Sequence, residues 1–336
     1  MPTQAQLTLF SPIKVNLYLR IVGKRPDGYH DLETVMTPLD FGDTLTFTPQ
    51  PSGITLACDH PGLPTDDSNL VVRAAKLLAQ SFGVTTGAHI VLQKRAPLAA
   101  GVGGGSSNAA ITLLGLSQLW RLPATPTQLG DLAAQMGSDI NFFLGHGPAL
   151  CRGRGEQVDP IASRFSACLL LVNPGFGIST KWAYQAWAKA VAQAGAVDTC
   201  APKPPGTAVT TTAPGVVAPV PGRTESGARD GELTASPPDV TLLTRALAAG
   251  DLAGVSRNLF NSLETPSVGK FPVLELLKRA MRNQGAAGAL MSGSGASVFG
   301  LFADAAMAAR CGEQIRAEFG PSMWTCVTRC KIGAVE

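Results

Sequence analysis

Membrane-spanning, targeting and strongly charged segments are all missing from this chain of 336 residues. No apolar run reaches the roughly 20 residues that a transmembrane helix needs. No charged-then-apolar signal pattern opens the chain, and strand-like sequence from Leu7 leaves no room for a transit peptide, so we expect a cytoplasmic protein. Charged residues make up only 15% of the chain, the net charge is +3 and no Lys/Arg cluster occurs. We therefore expect neither a nucleic-acid nor a membrane partner.

Cysteine pairs with metal-binding spacing are missing as well. The seven cysteines are odd in number, and no Cys-x-x-Cys pair or histidine cluster forms a zinc pattern. Cys326 and Cys330 stand four positions apart, a spacing that is more often incidental than metal-binding. We expect reduced thiols and no metal-ligating residues.

Large apolar residues are nearly absent between residues 194 and 239. This stretch is rich in Ala, Pro, Thr and Gly, and it cannot bury enough surface to offset the entropy of ordering. We therefore predict a flexible insert there. The chain as a whole is 45% hydrophobic, and its length suggests about two domains.

A glycine cluster is the most distinctive feature that the chain does contain. Four glycines fall within five positions from Gly101, after a strand-like segment (88–94) and before a helical pattern (109–120). Glycine permits positive φ and close approach of a ligand, and a helix start offers unpaired N–H groups. We predict a phosphate-binding loop in which Ser106 or Ser107 caps the helix, or reaches a phosphate or its metal. A plain flexible turn is the simpler alternative. The spacing fits neither a Walker A loop nor a dinucleotide fingerprint.

An alternating segment lies near the N-terminus. From Ile13 to Ile21, apolar residues occupy one face of a predicted strand, and Lys14 and Asn16 lie on the other face. The pattern is compatible with a solvated face and with a functional pair. The turn that follows presents Tyr29 and His30.

Polar residues mark the ends of helical segments further along. A helix is predicted over 69–82 with Ser68 or Asn69 as its cap. Another begins at Thr125 and ends at Gly137, two positions before Asp139. This aspartate is either an N-cap or a carboxylate that takes a proton from a substrate hydroxyl.

The C-terminal part mixes helical and strand patterns. Helical patterns cover 240–247, 252–263 and 271–284, and a helix with three aromatic residues begins near Ser179. The stretch 288–302 fits a hairpin with a Ser/Gly tip, which is either a second wall of the phosphate site or an ordinary tight turn.

Three separated stretches, 12–16, 97–110 and 288–302, together resemble the motifs of the GHMP kinases. Within that superfamily, the run from Lys14 to Thr34 and the sequence Met136-Gly-Ser-Asp139 resemble the branch that acts on a cytidine-diphosphate methylerythritol. The resemblance spans nearly the whole chain except the insert. It implies an α+β, two-domain GHMP kinase fold. Residues 1–165 would be a ribosomal-protein-S5-like, ATP-binding N-terminal domain, and 166–336 a ferredoxin-like C-terminal domain.

The same resemblance implies an activity and its residues. The activity is ATP-dependent phosphorylation, with Mg²⁺, of the 2-hydroxyl of that small-molecule substrate in the non-mevalonate route to isoprenoids, by a monomer or homodimer. Asp139 would be the general base, with Lys14 orienting it and stabilising charge. The ATP-binding residues would be Asn69, Lys94, Pro97, Leu98, Ala99, Ala100, Gly101, Val102, Gly103, Gly104, Gly105, Ser106 and Ser107. The substrate-binding residues would be Asn16, Tyr29, His30, Thr180 and Tyr184, with the cytosine held between Tyr29 and Tyr184.

Some positions depart from the family pattern, and rival functions remain. The departures, none of which removes a catalytic group, are Ile13, Ala99, Asn141 and Ser262.

A different GHMP kinase, such as homoserine or mevalonate kinase, is disfavoured by the Tyr29-His30 loop. A non-enzymatic sensor with this fold is disfavoured because both Lys14 and Asp139 are present.

Overall fold

Two β-sheets and the helices packed on them make up the structure, a computed structural model that describes residues 6–198 and 237–330. The first sheet has seven strands and the second has four. Most of the predicted insert, from 199 to 236, lies outside the described residues. At the start of the insert, the helix that begins at Thr180 continues to Asp198.

The elements follow one another in this order. The strands are β1 (Leu7–Lys24), β2 (His30–Gln50), β3 (Ile54–Cys58), β4 (Gly87–Gln93), β5 (Ala149–Gly153), β6 (Gln157–Pro160), β7 (Cys168–Asn173), β8 (Phe260–Asn261), β9 (Gly288–Met291), β10 (Val298–Phe302) and β11 (Trp324–Arg329). The α-helices are α1 (Leu70–Phe82), α2 (Gly104–Leu119), α3 (Pro126–Met136), α4 (Thr180–Asp198), α5 (Val240–Ala249), α6 (Leu252–Arg257), α7 (Glu264–Lys270), α8 (Val273–Asn283) and α9 (Ala305–Phe319). A 3-10 helix spans Asn141–Leu144.

The first sheet is built on the long antiparallel pair β1–β2. Its strand order is β3-β4-β2-β1-β8, with β5 on β2 and β6 on β5. The pairs β3–β4 and β1–β8 are parallel. Because β8 comes from the C-terminal half of the chain, the first sheet is completed by residues from both halves.

Helix caps are largely where the sequence predicts them. The Asn69 side chain caps α1 by accepting a hydrogen bond from the amide of Val71, and Thr125 caps α3 in a capping box with Gln128. The prediction that Ser106 or Ser107 caps α2 is wrong. This helix begins earlier, at Gly104, and its N-cap Gly103 has φ 71° and no side-chain cap.

The polar face of β1 is buried from Lys14 to Tyr18, so the solvated-face interpretation is wrong for Lys14 and Asn16. Lys14 and Asn16 are 3% and 2% exposed. The covering residues come from far along the chain: Ser292 lies against the backbone of Asn16, and Phe260 lies against the Tyr18 ring. Alternation therefore identified the strand, but long-range packing decides its environment.

The second sheet is antiparallel, in the order β11-β7-β10-β9. Leu170 and Val172 of β7 pack in a core with residues of α8 and α9, whereas Leu169 and Leu171 pack in a core with residues of β1 and β2. The predicted hairpin over 288–302 is present as β9 and β10. The predicted helix over 252–263 is partly wrong, because α6 ends at Arg257 and β8 follows.

One apolar core lies between the two halves. It contains Ile13 and Leu39 from the first half, and Leu171, Leu290 and Phe299 from the second. No helix within the two described ranges is long and apolar enough to cross a membrane. The six cysteines among the described residues are free thiols.

Candidate active site

A cavity of about 690 Å³ opens where the two halves meet. Its first wall is the polar face of β1, with Lys14 and Asn16, and its second is the glycine loop, 97–106. The third wall comes from the C-terminal half, where the start of α4 and the turn between β9 and β10 face the loop. The cavity therefore brings together the three stretches that resemble GHMP kinase motifs.

Lys14 and Asp139 meet in this cavity. The Lys14 Nζ lies 3.4 Å from Asp139 Oδ2, donates to Asn16 Oδ1 at 2.6 Å, and lies 3.4 Å from the carbonyl oxygen of Gly101. The Lys14 side chain is 4% exposed, whereas that of Asp139 is 38% exposed. A carboxylate that is open to a cavity and fixed by a buried cation can accept a proton from a bound hydroxyl.

Asp139 lies in the turn between α3 and the 3-10 helix, and the structure gives it no capping role. The N-cap of the 3-10 helix is Ile140, without a side-chain cap. Asn141, one of the departures from the family pattern, donates from its side chain to the carbonyl oxygen of Glu156 at 3.1 Å. This bond ties the Asp139 turn to the turn that contains Gly155, which also lines the cavity.

Asn16 is held from both halves of the chain. Its Nδ2 donates to Thr34 Oγ1 at 2.9 Å, and its backbone N–H donates to Ser292 Oγ at 3.4 Å. Ser292 Oγ donates in turn to the carbonyl oxygen of Gly101 at 3.0 Å. Sequence reasoning did not single out Thr34, although it ends the run that carries the resemblance, and it treated Ser292 only as part of a hairpin tip.

The glycine loop presents backbone N–H groups to the cavity. Gly104, Gly105 and Ser106 are the first residues of α2, and their N–H groups have no acceptor within the helix. Gly101 and Gly103 have φ 77° and 71°, and a Cβ on Gly101 would lie 2.2 Å from the carbonyl oxygen of Ser292. These glycines are therefore required by backbone conformation and by close approach of the second half.

The two serines that follow the glycines face different ways. Ser106 lines the cavity, whereas Ser107 is fully buried and its hydroxyl lies 2.8 Å from Ser11 Oγ. The amide of Ser107 donates to the carbonyl oxygen of Gly103. Because α2 begins at Gly104, Ser107 falls on the helix face that packs on β1. The expected ATP contact of Ser107 has no support in this geometry.

Asn69 and Lys94 both line the cavity, but their side chains already have partners. Asn69 caps α1 and donates from Nδ2 to the carbonyl oxygen of Pro64 at 2.7 Å. The Lys94 ammonium forms a buried ion pair with Asp43 and donates to Asn108 Oδ1 at 3.3 Å. Pro97, Leu98, Ala99 and Ala100 also line the cavity.

An aromatic cluster lies beside the cavity at Tyr184, which lines it, whereas Tyr29, His30 and Trp187 are not among the lining residues. The rings of His30 and Tyr184 stack with centroids 5.2 Å apart and an interplanar angle of 23°, and the edge of Trp187 meets His30. Tyr29 is 56% exposed, and the guanidinium carbon of Arg154 lies over its ring, 5.2 Å from the ring centroid. The ring stacked on Tyr184 is thus that of His30, and the pairing of Tyr29 with Tyr184 around a cytosine stays a prediction.

Burial changes the titration of this cluster. Desolvation, and secondarily the charge of Lys24, lowers the pKa of His30 below its ordinary value of 6.5. Burial raises the pKa of Tyr184. His30 is therefore neutral at pH 7, and its Nε2 is buried without a hydrogen-bond partner among the described residues.

Two further side chains of α4 can be assigned a position. Thr180 lines the cavity, and its hydroxyl lies 3.1 Å from Ser294 Oγ. Trp182 packs instead against Phe271 and beneath the Lys270 ammonium. Of the first two aromatic residues of α4, Tyr184 and not Trp182 faces the site.

The site offers no thiol nucleophile and no preformed metal cage. Burial, helped by the negative charge of Asp139, raises the pKa of Cys151 to about 12. Within 6–198 and 237–330, no group of three or more His, Cys, Asp or Glu residues is arranged to hold a metal ion.

Comparison with known proteins defines the class. The family model described as GHMP kinases N terminal domain matches residues 69–148, and the one described as GHMP kinases C terminal matches 243–321. A homoserine kinase structure from Cytophaga hutchinsonii is 18% identical with a TM-score of 0.68, covering 99% of this chain and 98% of that chain. The expected two-domain α+β GHMP kinase fold is therefore confirmed.

More similar relatives narrow the family. A 4-diphosphocytidyl-2-C-methyl-D-erythritol kinase of Synechococcus sp. (strain JA-3-3Ab) is 38% identical over 304 residues, which covers 90% of this chain and 87% of the relative. A crystal structure of 4-(cytidine 5'-diphospho)-2C-methyl-D-erythritol kinase is 31% identical with a TM-score of 0.70, covering 96% of this chain and 99% of that chain. The chain belongs to the 4-diphosphocytidyl-2-C-methyl-D-erythritol kinase family.

Proposed function

We propose that this protein transfers the γ-phosphoryl group of ATP to the 2-hydroxyl of 4-diphosphocytidyl-2-C-methyl-D-erythritol. The observation that carries the proposal is the Lys14–Asp139 pair, which faces the cavity beside the glycine loop. Membership of the family supports the choice of substrate. The proposed location of the protein is the cytoplasm. The proposed reaction is a step in the route to isoprenoid precursors.

The glycine loop fits the phosphate chain of ATP. The free N–H groups of Gly104, Gly105 and Ser106 and the positive end of the α2 dipole favour a polyanion. The Ser106 hydroxyl is available beside them, and Asn69 and Lys94 lie on the wall where the nucleoside would extend. Ser107 is not part of this proposal.

A magnesium ion would neutralise charge on the phosphates. Mg²⁺ commonly takes only one or two ligands from protein and the rest from phosphate and water. The site offers Asp139 and the Ser106 hydroxyl, and the described residues contain no larger acidic cluster. This small number of protein ligands is compatible with Mg²⁺ bound to ATP.

Asp139 would accept the proton of the attacking hydroxyl while the new phosphate ester forms and ADP leaves. Lys14 lies beside the carboxylate and, because Asn16 and Gly101 also bind its ammonium, holds it in a fixed position. Phosphoryl transfer depends mainly on positioning and electrostatic stabilisation, so this small set of groups is sufficient.

The aromatic cluster would bind the cytosine. Tyr184 offers a ring face at the end of the cavity, and His30 Nε2 is a buried nitrogen in need of a partner. If His30 turns this nitrogen toward the cavity when substrate binds, a base that stacks on Tyr184 would satisfy both. Tyr29 and Thr180 would complete this end, after a shift of the exposed Tyr29 ring toward the base.

Turnover tests this proposal directly. The full chain is assayed with ATP and Mg²⁺ against the cytidyl substrate, homoserine, mevalonate and galactose. We expect turnover of the cytidyl substrate alone. Asp139→Asn should lower kcat by about 10²- to 10⁴-fold, the range for loss of a general base, with little change in KM for the cytidyl substrate.

The matched control is Asp131→Asn, which removes one carboxylate from the exposed face of α3 and should leave kcat unchanged. Turnover of another compound in the panel would overturn the proposed substrate. ATP binding without any turnover would favour a nucleotide sensor instead.

A further inference from the structure

A fully buried carboxylate lies behind the glycine loop, outside the cavity wall. Asp43 has no exposed surface and accepts hydrogen bonds from four donors. Two are the backbone N–H groups of Arg95 and Ala96, at 2.8 and 2.9 Å. The others are the Lys94 ammonium and the side-chain amide of Asn108, the latter at 3.0 Å.

These donors lie on both sides of the glycine loop. Residues 94–96 leave β4 and lead into the loop, and Asn108 is in the second turn of α2, just after it. One carboxylate therefore binds the chain immediately before the loop and immediately after it. A loop whose two ends are held at one point has far fewer conformations available than one held at a single end.

The same network reaches the strand that carries Lys14. Asn108 Nδ2 also donates to Ser11 Oγ at 2.9 Å, and Ser11 lies three positions before Lys14 on β1. The Lys14 amide donates to the carbonyl oxygen of Val102 within the loop. Asp43 is thus connected by hydrogen bonds to the loop and to the strand that positions Lys14.

Lys94 has a particular place in this network. Its Nζ would lie 3.4 Å from a Cβ on Gly104, the first residue of α2. A cation beside the positive end of a helix is unfavourable unless it is paired. The Asp43 carboxylate therefore makes this position of Lys94 tolerable, and the pair holds the first turn of α2 from behind.

We propose that Asp43 is a positioning residue for the phosphate-binding loop: it fixes both ends of 97–105 so that the N–H groups of α2 are already aimed at a bound triphosphate. This inference rests on the proposed binding of ATP at that loop. In this inference, the main partners of Lys94 are Asp43 and the other groups behind the loop. Lys94 then affects ATP binding indirectly, by holding the loop in place.

Asp43→Asn is the variant that tests it. The change keeps the size of the side chain, but turns an NH₂ group toward two other donors, Lys94 and Asn108. We expect KM for ATP to rise by about tenfold or more, as for other residues that orient a binding group from behind, while KM for the cytidyl substrate stays within about twofold. Leu277→Ala in the core under α8 is the control for general loss of stability, and it should leave the ratio of the two KM values unchanged.

Hydrogen exchange of the ligand-free chain gives a readout that needs no activity. In Asp43→Asn, amides in 95–108 should exchange faster, while those of β7 keep their protection. If KM for ATP and the exchange of 95–108 both match wild type, or if Leu277→Ala raises KM for ATP equally, the inference is overturned. Failure of the wild-type chain to bind ATP would overturn the proposed function instead. The exchange result would still test whether Asp43 holds the loop, because it is measured without ligand.

A second variant separates the network from the charge of Lys94. In Asp43→Asn/Lys94→Gln, the new glutamine can accept from the new asparagine, so the contact between positions 43 and 94 is restored without charge, while the side-chain NH₂ of Asn108 still faces a donor. Recovery of both the exchange protection and KM for ATP supports the positioning role. Recovery of protection with KM for ATP still raised would mean that the Lys94 charge binds the nucleotide directly, and would overturn it.

Discussion

At the scale of single residues, His30 shows how burial near the site creates a pH dependence. Desolvation lowers its pKa below 6.5 in the folded chain, so the unfolded chain binds a proton more readily. The stabilisation is complete above about pH 6.5 and is lost as the pH falls through the lower folded value. We expect Tm to fall between about pH 7.5 and pH 5.5, in part because of this one ring.

His30→Phe checks the assignment, because phenylalanine keeps a ring against Tyr184 but cannot take up a proton. Its Tm should fall less than that of wild type over the same pH interval. His146→Gln, at an exposed histidine, should retain the wild-type acid sensitivity. Equal acid sensitivity in wild type and His30→Phe would show that His30 is not responsible.

Residue-scale predictions from sequence succeeded where the signal was local. Asn69 could be named as one of two candidate caps, and Thr125 as the start of a helix, because a helix start is decided by the few residues that follow it. The opposition of His30 to Tyr184 could not be predicted, because those rings come from segments about 150 positions apart in a chain whose local pattern says nothing of their mutual orientation. Asp43 was missed for the same reason, since its partners follow it by more than 50 positions.

At the scale of elements, the start of α2 combines a conformational and a steric requirement. Gly103 has φ 71°, and a Cβ there would lie 3.0 Å from the Phe143 ring and 3.1 Å from Lys14 Cε. We expect Gly103→Ala to lower the free energy of unfolding by about 1–3 kcal/mol, the usual cost of a strained backbone position. Urea unfolding of the ligand-free chain measures it.

Gly105→Ala is the matched control within the same helix turn. A Cβ there would meet nothing closer than Leu70 Cδ1 at 3.6 Å, and alanine favours a helix over glycine. Stability should be unchanged or slightly higher. If both variants lost stability equally, the cause would be a general intolerance of this turn and not the geometry of Gly103.

The order strand, glycine loop, helix could be predicted because all of its signals lie within about 30 residues. The environment of β1 could not be predicted from the sequence. Its alternation is typical of a half-buried strand, but the side chain of Lys14 is enclosed by the glycine loop and Asp139, and Ser292 from the other half meets the backbone of Asn16. An apolar pattern reports what a strand can bury, and the rest of the chain decides what covers its other face.

At the scale of the whole molecule, the two halves are joined more closely than a boundary at residue 165 suggests. Phe165 itself is buried in the core that contains Ile13, Leu39 and Phe299. β8 adds the C-terminal half to the first sheet, and Leu39 forms a β-bridge with Cys330. Halves that share a core and a sheet cannot unfold independently without exposing each other's apolar surface. The division into domains at 165/166 stays a prediction.

We therefore expect one cooperative thermal transition for the full chain, as seen by calorimetry and by fluorescence together. Phe299→Ala, in the shared core, should cost about 3–5 kcal/mol and move that single transition down as a unit. It should also speed hydrogen exchange in β1, although Phe299 lies on a strand of the second sheet. Two transitions, of which Phe299→Ala moved only one, would mean that the halves are stable separately. In that case the cavity between them would depend on docking alone, and the Lys14–Asp139 pair and the Ser292 contacts would be formed by different folding units.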